Sequence, residues 1–104
     1  MSQELSHFDR QVARIVKAIP KGCILSYGSV AARAGRWGGA RHVAKSLRRL
    51  KNLPWWRVIR SDGSLADAVA IEQARRLRAE GIEVRKRRVV GAEKLRAGPA
   101  PMDS

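Results

Sequence analysis

The sequence predicts a mainly α-helical domain with small β elements, arranged as a winged helix-turn-helix. Three observations predict it. Apolar residues recur at helical spacing through the first half of the chain, a glycine-bearing turn stands directly ahead of a strongly basic helical segment, and short apolar runs with turn signals follow before one more helical pattern. At 104 residues the chain has the size of a single small domain.

Ser6 and Asp9 have the spacing of a capping box, and Phe8, Val12, Ile15 and Ile19 share one helix face, which predicts a helix over residues 6 to 18. Pro20, Lys21 and Gly22 stop it, and Cys23 to Ser26 form a short extended entry. A second helix starts near Tyr27 to Ser29 and runs through Val30 and Ala32 to a terminator at Gly35. Arg36, Trp37, Gly38 and Gly39 make the turn. The third helix spans about 40 to 50, with Val43, Leu47 and Leu50 as its apolar stripe and Arg41, Lys45, Arg48 and Arg49 on the rest of its surface.

Pro54-Trp55-Trp56-Arg57, Val58-Ile59 and the turn signal Ser61-Asp62-Gly63 then read as loop and hairpin-like chain. A fourth helix over about 67 to 80 is expected to bury Ile71, Ala74 and Leu77 and to end at Gly81. Residues 82 to 90 are expected to be extended, with Arg85, Lys86, Arg87 and Arg88 as solvated surface. Residues 1 to 96 form the expected domain and 97 to 104, with Gly98, Pro99 and Pro101, a mobile tail.

Charge is the most informative bulk property. The formal net charge is +13, from 22 Lys and Arg against 9 Asp and Glu. Between Arg10 and Ser61 there are thirteen basic residues and no acidic one, while Asp62 to Glu93 holds six acids. Such a polarised surface attracts phosphate backbones with salt-dependent, sequence-blind affinity. The competing readings are an acidic protein partner or plain solubility charge. Apolar runs are too short to span a bilayer, and the lone Cys23 reads as a buried structural thiol, so a cytoplasmic, membrane-free setting is expected, nucleoid-associated if bacterial.

Chemistry is mostly excluded. One Cys and two distant His, His7 and His42, do not make a metal site. Gly35, Gly38 and Gly39 lack the spacing of a nucleotide-phosphate loop, and nothing near Cys23 would activate it as a nucleophile. No cofactor, metal or catalytic residue is therefore expected, and the chain reads as a binder.

Several motifs in order sharpen that reading: Ile19-Pro20-Lys21-Gly22, Ser26-Tyr27-Gly28-Ser29-Val30-Ala31, Gly35, Ala40-Arg41, Pro54-Trp55, Arg57-Val58-Ile59, Ser61-Asp62-Gly63 and Leu77-Arg78-Ala79-Glu80-Gly81-Ile82. Together, over about residues 8 to 84, they resemble the C-terminal DNA-binding domain of O6-alkylguanine-DNA alkyltransferases. In those repair enzymes the residue after the motif proline is the alkyl-accepting cysteine and the next a histidine that relays its proton. Here Trp55 and Trp56 stand in those places, and neither indole can do that chemistry. A tryptophan at the cysteine position marks the alkyltransferase-like proteins, which bind alkylated DNA and pass it to nucleotide excision repair. Many of them keep the histidine, so Trp56 departs from the pattern and leaves open the hydrogen-bond network that histidine would support.

The resemblance implies a partner, double-stranded DNA containing O6-alkylguanine, bound by a monomer that flips the damaged nucleotide. It implies that Arg41 fills the vacated stack, that Tyr27 pushes on the target phosphate, and that Ser29 and Lys45 complete the DNA contacts. Trp55, Val58, Trp56 and Arg57 form the expected lesion pocket, with the Val58 carbonyl accepting from the guanine amino group. Within that set Trp56 is read as inward-packing and Arg57 as anchoring the loop through backbone hydrogen bonds. The rival readings are a phosphate-contacting Arg41, a core Tyr27 and a structural Trp55. Trp37 fits either a cap on the turn or a backbone contact. Alkyltransferase-like proteins can place a basic residue thirteen positions beyond the pocket tryptophan, but Ala68 stands there, and the loop between Leu65 and Val69 reads as shortened, which implies a more open pocket. The other hypotheses are a helix-turn-helix transcription regulator of undamaged DNA, and a glycosylase using Asp62 or Asp67.

Overall fold

A computed structural model describes residues 5 to 98. Its order is α1 (His7–Lys17), β1 (Leu25–Ser26), α2 (Tyr27–Arg33), α3 (Ala40–Arg49), β2 (Val58–Ile59), α4 (Ala70–Ala79), β3 (Val84–Arg85), β4 (Arg88–Val89) and α5 (Ala92–Leu95). Short 3₁₀ turns cover Trp55–Arg57 and Asp67–Val69. The mainly helical architecture with small sheets is the predicted one.

The first two predicted helices have their local causes in place. The Ser6 side chain accepts from the Asp9 amide, and the Asp9 carboxylate accepts from the Ser6 amide, closing the capping box of α1. Ser26 caps α2 by accepting from the Ser29 amide. Gly35 follows α2 at φ +85°, a left-handed conformation that glycine adopts without a Cβ clash.

Two short strands divide the interior. β1 pairs in parallel with β2, Leu25 opposite Val58 and Ser26 opposite Ile59. Leu25 and Val58 join Val12, Val16, Ile19, Val30 and Val43 in one core, against α1, α2 and α3. Ile24 and Ile59 face the other way, into a second core with Leu65, Leu77, Ile82, Val84 and Val89. The alternation of strand side chains thus gives each half of the molecule its own interior.

α4 corrects one expectation. Its buried stripe is Ala70, Gln73, Ala74 and Leu77, whereas Ile71 is 86% exposed. The stripe follows the three-four spacing of a helix, and Ile71, one position beyond Ala70, is rotated about 100° away from it. The α-helix also begins at Ala70, after a 3₁₀ turn, and not at Asp67.

The extended segment from residue 82 is an antiparallel hairpin, the wing, with Val84 opposite Val89 and Arg85 opposite Arg88. Its two turn residues, Lys86 and Arg87, have φ of +49° and +61°, the mirror-image turn that matches strand twist. All four basic residues of the run are exposed, as expected. The chain then returns beside β1: Ile24 donates to the Leu95 carbonyl and Ala97 to the Ile24 carbonyl, at 2.9 and 2.8 Å. Arg33 further holds the Ala97 and Gly98 carbonyls, so the first two residues of the expected tail are anchored, and the rest of it lies outside the described residues. Cys23 is half-buried against the first core, less enclosed than expected.

Candidate functional site

The turn into α3 is closed by hydrogen bonds from Arg36 to the Ala31 carbonyl and from Gly39 to the Arg36 carbonyl. A Cβ on Gly39 would lie 2.9 Å from both the Arg36 side chain and its carbonyl oxygen, so this approach requires glycine. α3 is then fastened to α1 through Asp9. Its carboxylate, almost wholly buried, accepts from Ser46 at 2.6 Å and from Arg49 at 3.0 Å. Burial alone would raise the Asp9 carboxyl, but the Ser46 and Ser6 hydrogen bonds and the Arg49 charge outweigh it and hold it below its usual range.

Beside α3 lies an open cleft of about 600 Å³. α3 contributes Ala40, Arg41, Ala44, Leu47 and Arg48; Tyr27, Leu50, Trp55 and Arg60 come from its surroundings; Ala66, Ala68 and Val69 close the far side. Trp55 is half-buried and lines the cleft. The floor is largely apolar and the rim is cationic. Arg41, Arg48 and Arg60 form no ion pair among the described residues. Burial pushes the Tyr27 hydroxyl above its ordinary value despite the opposing charges of Arg60 and Arg48, so it stays a neutral donor at physiological pH.

The predicted residues divide into two groups. Tyr27, Arg41 and Trp55 converge on this cleft. Lys45 is exposed on α3, and Ser29 sits half-exposed in the first turn of α2, its hydroxyl accepting from Ser26 at 3.0 Å. Arg48 and Arg60 are additions. Arg60 lies well beyond α3 in the chain, and only the parallel pairing of β2 with β1 brings it to Tyr27.

Val58, Trp56 and Arg57 do not line this cleft; Trp56 and Arg57, with Trp55, line a neighbouring cavity of about 580 Å³. Val58 is fully buried in the first core, because its position on β2 points it inward, and its carbonyl already accepts from Gln73 at 2.9 Å. Trp56 packs on the second core, lies edge-on to Trp55 at 6.1 Å, and is covered by the Arg76 guanidinium 4.6 Å from its ring centroid. Its indole N–H donates to Glu80 at 2.7 Å. Trp56, where the resemblance expects a histidine, thus still offers a hydrogen-bond donor. Arg57 anchors the loop, giving two donors to Glu80, the shorter contact 2.7 Å, and one to the Ile19 carbonyl at 2.8 Å.

Glu80 is the residue that sequence reasoning missed. Its carboxylate also accepts from the Gly22 amide at 3.1 Å, and only 8% of its side chain is exposed. Burial would raise this carboxyl, but hydrogen bonds from Arg57, Trp56 and Gly22, together with the Arg57 charge, hold it at about 2. The signal available in the sequence was a carboxylate at the end of α4, where the helix dipole disfavours it and a partner is required.

A protein-family model described as the DNA-binding domain of 6-O-methylguanine DNA methyltransferase matches residues 7–82. A DNA base-flipping protein of Vibrio parahaemolyticus is 44% identical over 85 residues, covering 77% of this chain and 85% of that protein. Alkyltransferase-like protein 1 of Schizosaccharomyces pombe is 34% identical over 87 residues, covering 77% of this chain and 81% of that one. Among solved structures, S. pombe Atl1 in complex with damaged DNA containing O6-carboxymethylguanine aligns with a TM-score of 0.84 at 27% identity, over 93% of this chain and 100% of that one.

Proposed function

Because this chain belongs to the 6-O-methylguanine DNA methyltransferase DNA-binding-domain family, and within it resembles the alkyltransferase-like proteins, we propose that it recognises DNA damage without performing chemistry on it. It binds duplex DNA containing O6-alkylguanine, flips the damaged nucleotide into the cleft beside α3, and leaves it there for nucleotide excision repair. It does so as a cytoplasmic monomer. The observation that carries this reading is Trp55, half-buried on the wall of a cleft of about 600 Å³ that Arg41 also lines.

Flipping costs a few kcal/mol of stacking and pairing, so a substitute is needed on both sides of the vacated gap. Arg41 supplies one, since its exposed guanidinium at the start of α3, without an ion pair among the described residues, is free to enter the stack and bond the orphaned base. Trp55 supplies the other, a flat apolar face for the extruded base and its alkyl group. Tyr27, neutral and flanked by Arg48 and Arg60, is placed to donate to the target phosphate.

Among the described residues, the side chains lining the cleft include no thiol and no carboxylate, which supports binding over transfer or glycosidic cleavage. Asp62, a candidate acid for a glycosylase, accepts from Ser64, and Asp67 lies 3.4 Å from Arg87. Ala66, Ala68 and Val69 leave the far wall low and apolar, so bulky O6-alkyl groups are accepted alongside methyl.

The test compares wild type with Arg41→Ala on duplexes with and without a single O6-methylguanine, while mass measurement follows protein and DNA. Unchanged masses with a preference for the damaged duplex are expected. The variant should lose about 30-fold or more on damaged DNA and only a few-fold on undamaged DNA, the difference being the stack-filling contact. Equal losses on both duplexes would reduce Arg41 to a phosphate contact, and alkyl transfer to the protein would overturn the non-enzymatic reading.

A further inference from the structure

Trp37, in the turn between α2 and α3, leaves 86% of its surface in solvent. That excludes the role of a cap on the turn. The backbone carrying it is nevertheless fixed, by the Arg36 and Gly39 hydrogen bonds and by a further one from Gly35 to the Ala32 carbonyl at 3.0 Å. The preceding side chain is held too, the Arg36 guanidinium lying 5.6 Å from the Phe8 ring centroid. A short, closed turn thus presents a large indole to water, four positions before Arg41, which lines the cleft.

The surroundings determine what covers it. From Arg10 to Ser61 the chain has no acidic residue, and Arg36 and Arg41 flank the indole in sequence. A polyanion is the matching partner, and a DNA strand offers both phosphates for those cations and apolar deoxyribose faces for the ring.

We propose that Trp37 is a second, uncharged DNA contact, its indole packing on the sugar-phosphate backbone next to the point where Arg41 enters the duplex. Trp37 takes this role if the duplex lies across α3 as proposed above. Because the contact involves neither the damaged base nor a charge, it adds affinity equally to damaged and undamaged DNA and leaves the salt dependence unchanged.

Wild type, Trp37→Ala and Trp37→Phe are titrated at several salt concentrations with an O6-methylguanine duplex and its unmodified counterpart. Trp37→Ala is expected to bind both duplexes about 10-fold more weakly, in the range found for aromatic contacts to nucleic acid. Its preference for damage and its slope of log affinity against log salt should match wild type, and Trp37→Phe should recover most of the loss. Acrylamide quenching gives an independent readout: the unmodified duplex should shield indole fluorescence in wild type more than in Trp37→Phe. Melting temperatures should coincide, since the side chain is exposed.

Undiminished affinity of Trp37→Ala for the unmodified duplex, or a loss confined to the damaged one, overturns the proposal. A wild-type protein that binds both duplexes equally well defeats the flipping reading, yet the Trp37 comparison on unmodified DNA still decides this one.

Discussion

The region of α1, α2 and α3 and the region of α4 with the β3–β4 wing are both rich in arginine, yet they employ it differently. In the second region acids stand among the bases: Glu72 pairs with Arg75 and Arg76, Glu83 with Arg85, Asp67 with Arg87. In the first, Arg41, Lys45, Arg48 and Arg60 are left without acidic partners among the described residues. The exceptions there are structural. Arg49 is spent on buried Asp9, and Arg57 on buried Glu80, which reaches across from the second region. An arginine with a buried carboxylate holds the fold, whereas one without remains available to a phosphate. On the function proposed above, the binding face is thus defined by where carboxylates are missing as much as by where cations stand.

Glu80 offers the most severe way to break that contrast. Glu80→Ala removes the acceptor for Arg57, Trp56 and Gly22 together and strands a guanidinium that is mostly buried, its side chain only 15% exposed. A loss of about 3 to 5 kcal/mol in urea unfolding is expected, as for other buried pairs cut on one side. The same site sets an acid limit. Its carboxyl is held at about 2 against an ordinary 4.5, so its folded-state affinity for protons is depressed. The stabilisation is complete above pH 4.5 and drains away as the pH falls toward 2, on the order of 3 kcal/mol in all. Urea midpoints of wild type and Glu80→Gln, followed down this range, should converge; parallel curves would show that Glu80 is not the titrating anchor.

Trp55 and Trp56 sharpen the contrast within two adjacent residues. Trp55→Ala should weaken binding of an O6-methylguanine duplex by about 2 kcal/mol, the scale of one aromatic stacking contact, with a smaller effect on stability. Trp56→Phe should do the reverse, lowering stability by about 1 kcal/mol through the lost hydrogen bond to Glu80 while damaged-DNA affinity holds. Fluorescence titration and urea unfolding of both variants check the pair. Matching losses in both assays would mean that the two indoles act as one unit.

That division between neighbouring tryptophans shows where the sequence was legible. Helical spacing, the Ser6 and Asp9 capping pair and the glycine stops located α1, α2 and α3 to within a residue or two, because those signals act over one turn of chain. The motif around Pro54 and Trp55 singled out the residue on the cleft wall. What local patterns could not give was direction. The placement of Val58 depends on which core β2 faces, and that of Trp56 on a carboxylate twenty-four residues away in sequence. Arg60 reaches the cleft through a parallel strand pairing that no short-range signal encodes. Ile71 was misplaced because its hydrophobicity outweighed the better-phased stripe of Ala70, Gln73, Ala74 and Leu77, in which a buried glutamine bonds the Trp56 and Val58 carbonyls. The turn at Lys86 and Arg87 takes left-handed backbone without the Asn or Gly that would have signalled it.

The smallest expected effect isolates the electrostatic half of the contrast. A cation that neutralises a phosphate releases counterions, so removing it reduces the slope of log affinity against log salt by about 1. Arg48, on the cleft rim and without an ion pair among the described residues, should behave so: Arg48→Gln lowers the slope by that amount on damaged and undamaged duplexes alike. Arg75, already paired with Glu72 at 2.6 Å on α4, should not, and Arg75→Gln leaves the slope at its wild-type value. Both substitutions remove one positive charge from the same chain, so net charge alone predicts equal effects. Unequal slopes would place the duplex on the α3 side, and equal slopes would mean that the field of the whole protein, not a face of it, attracts DNA.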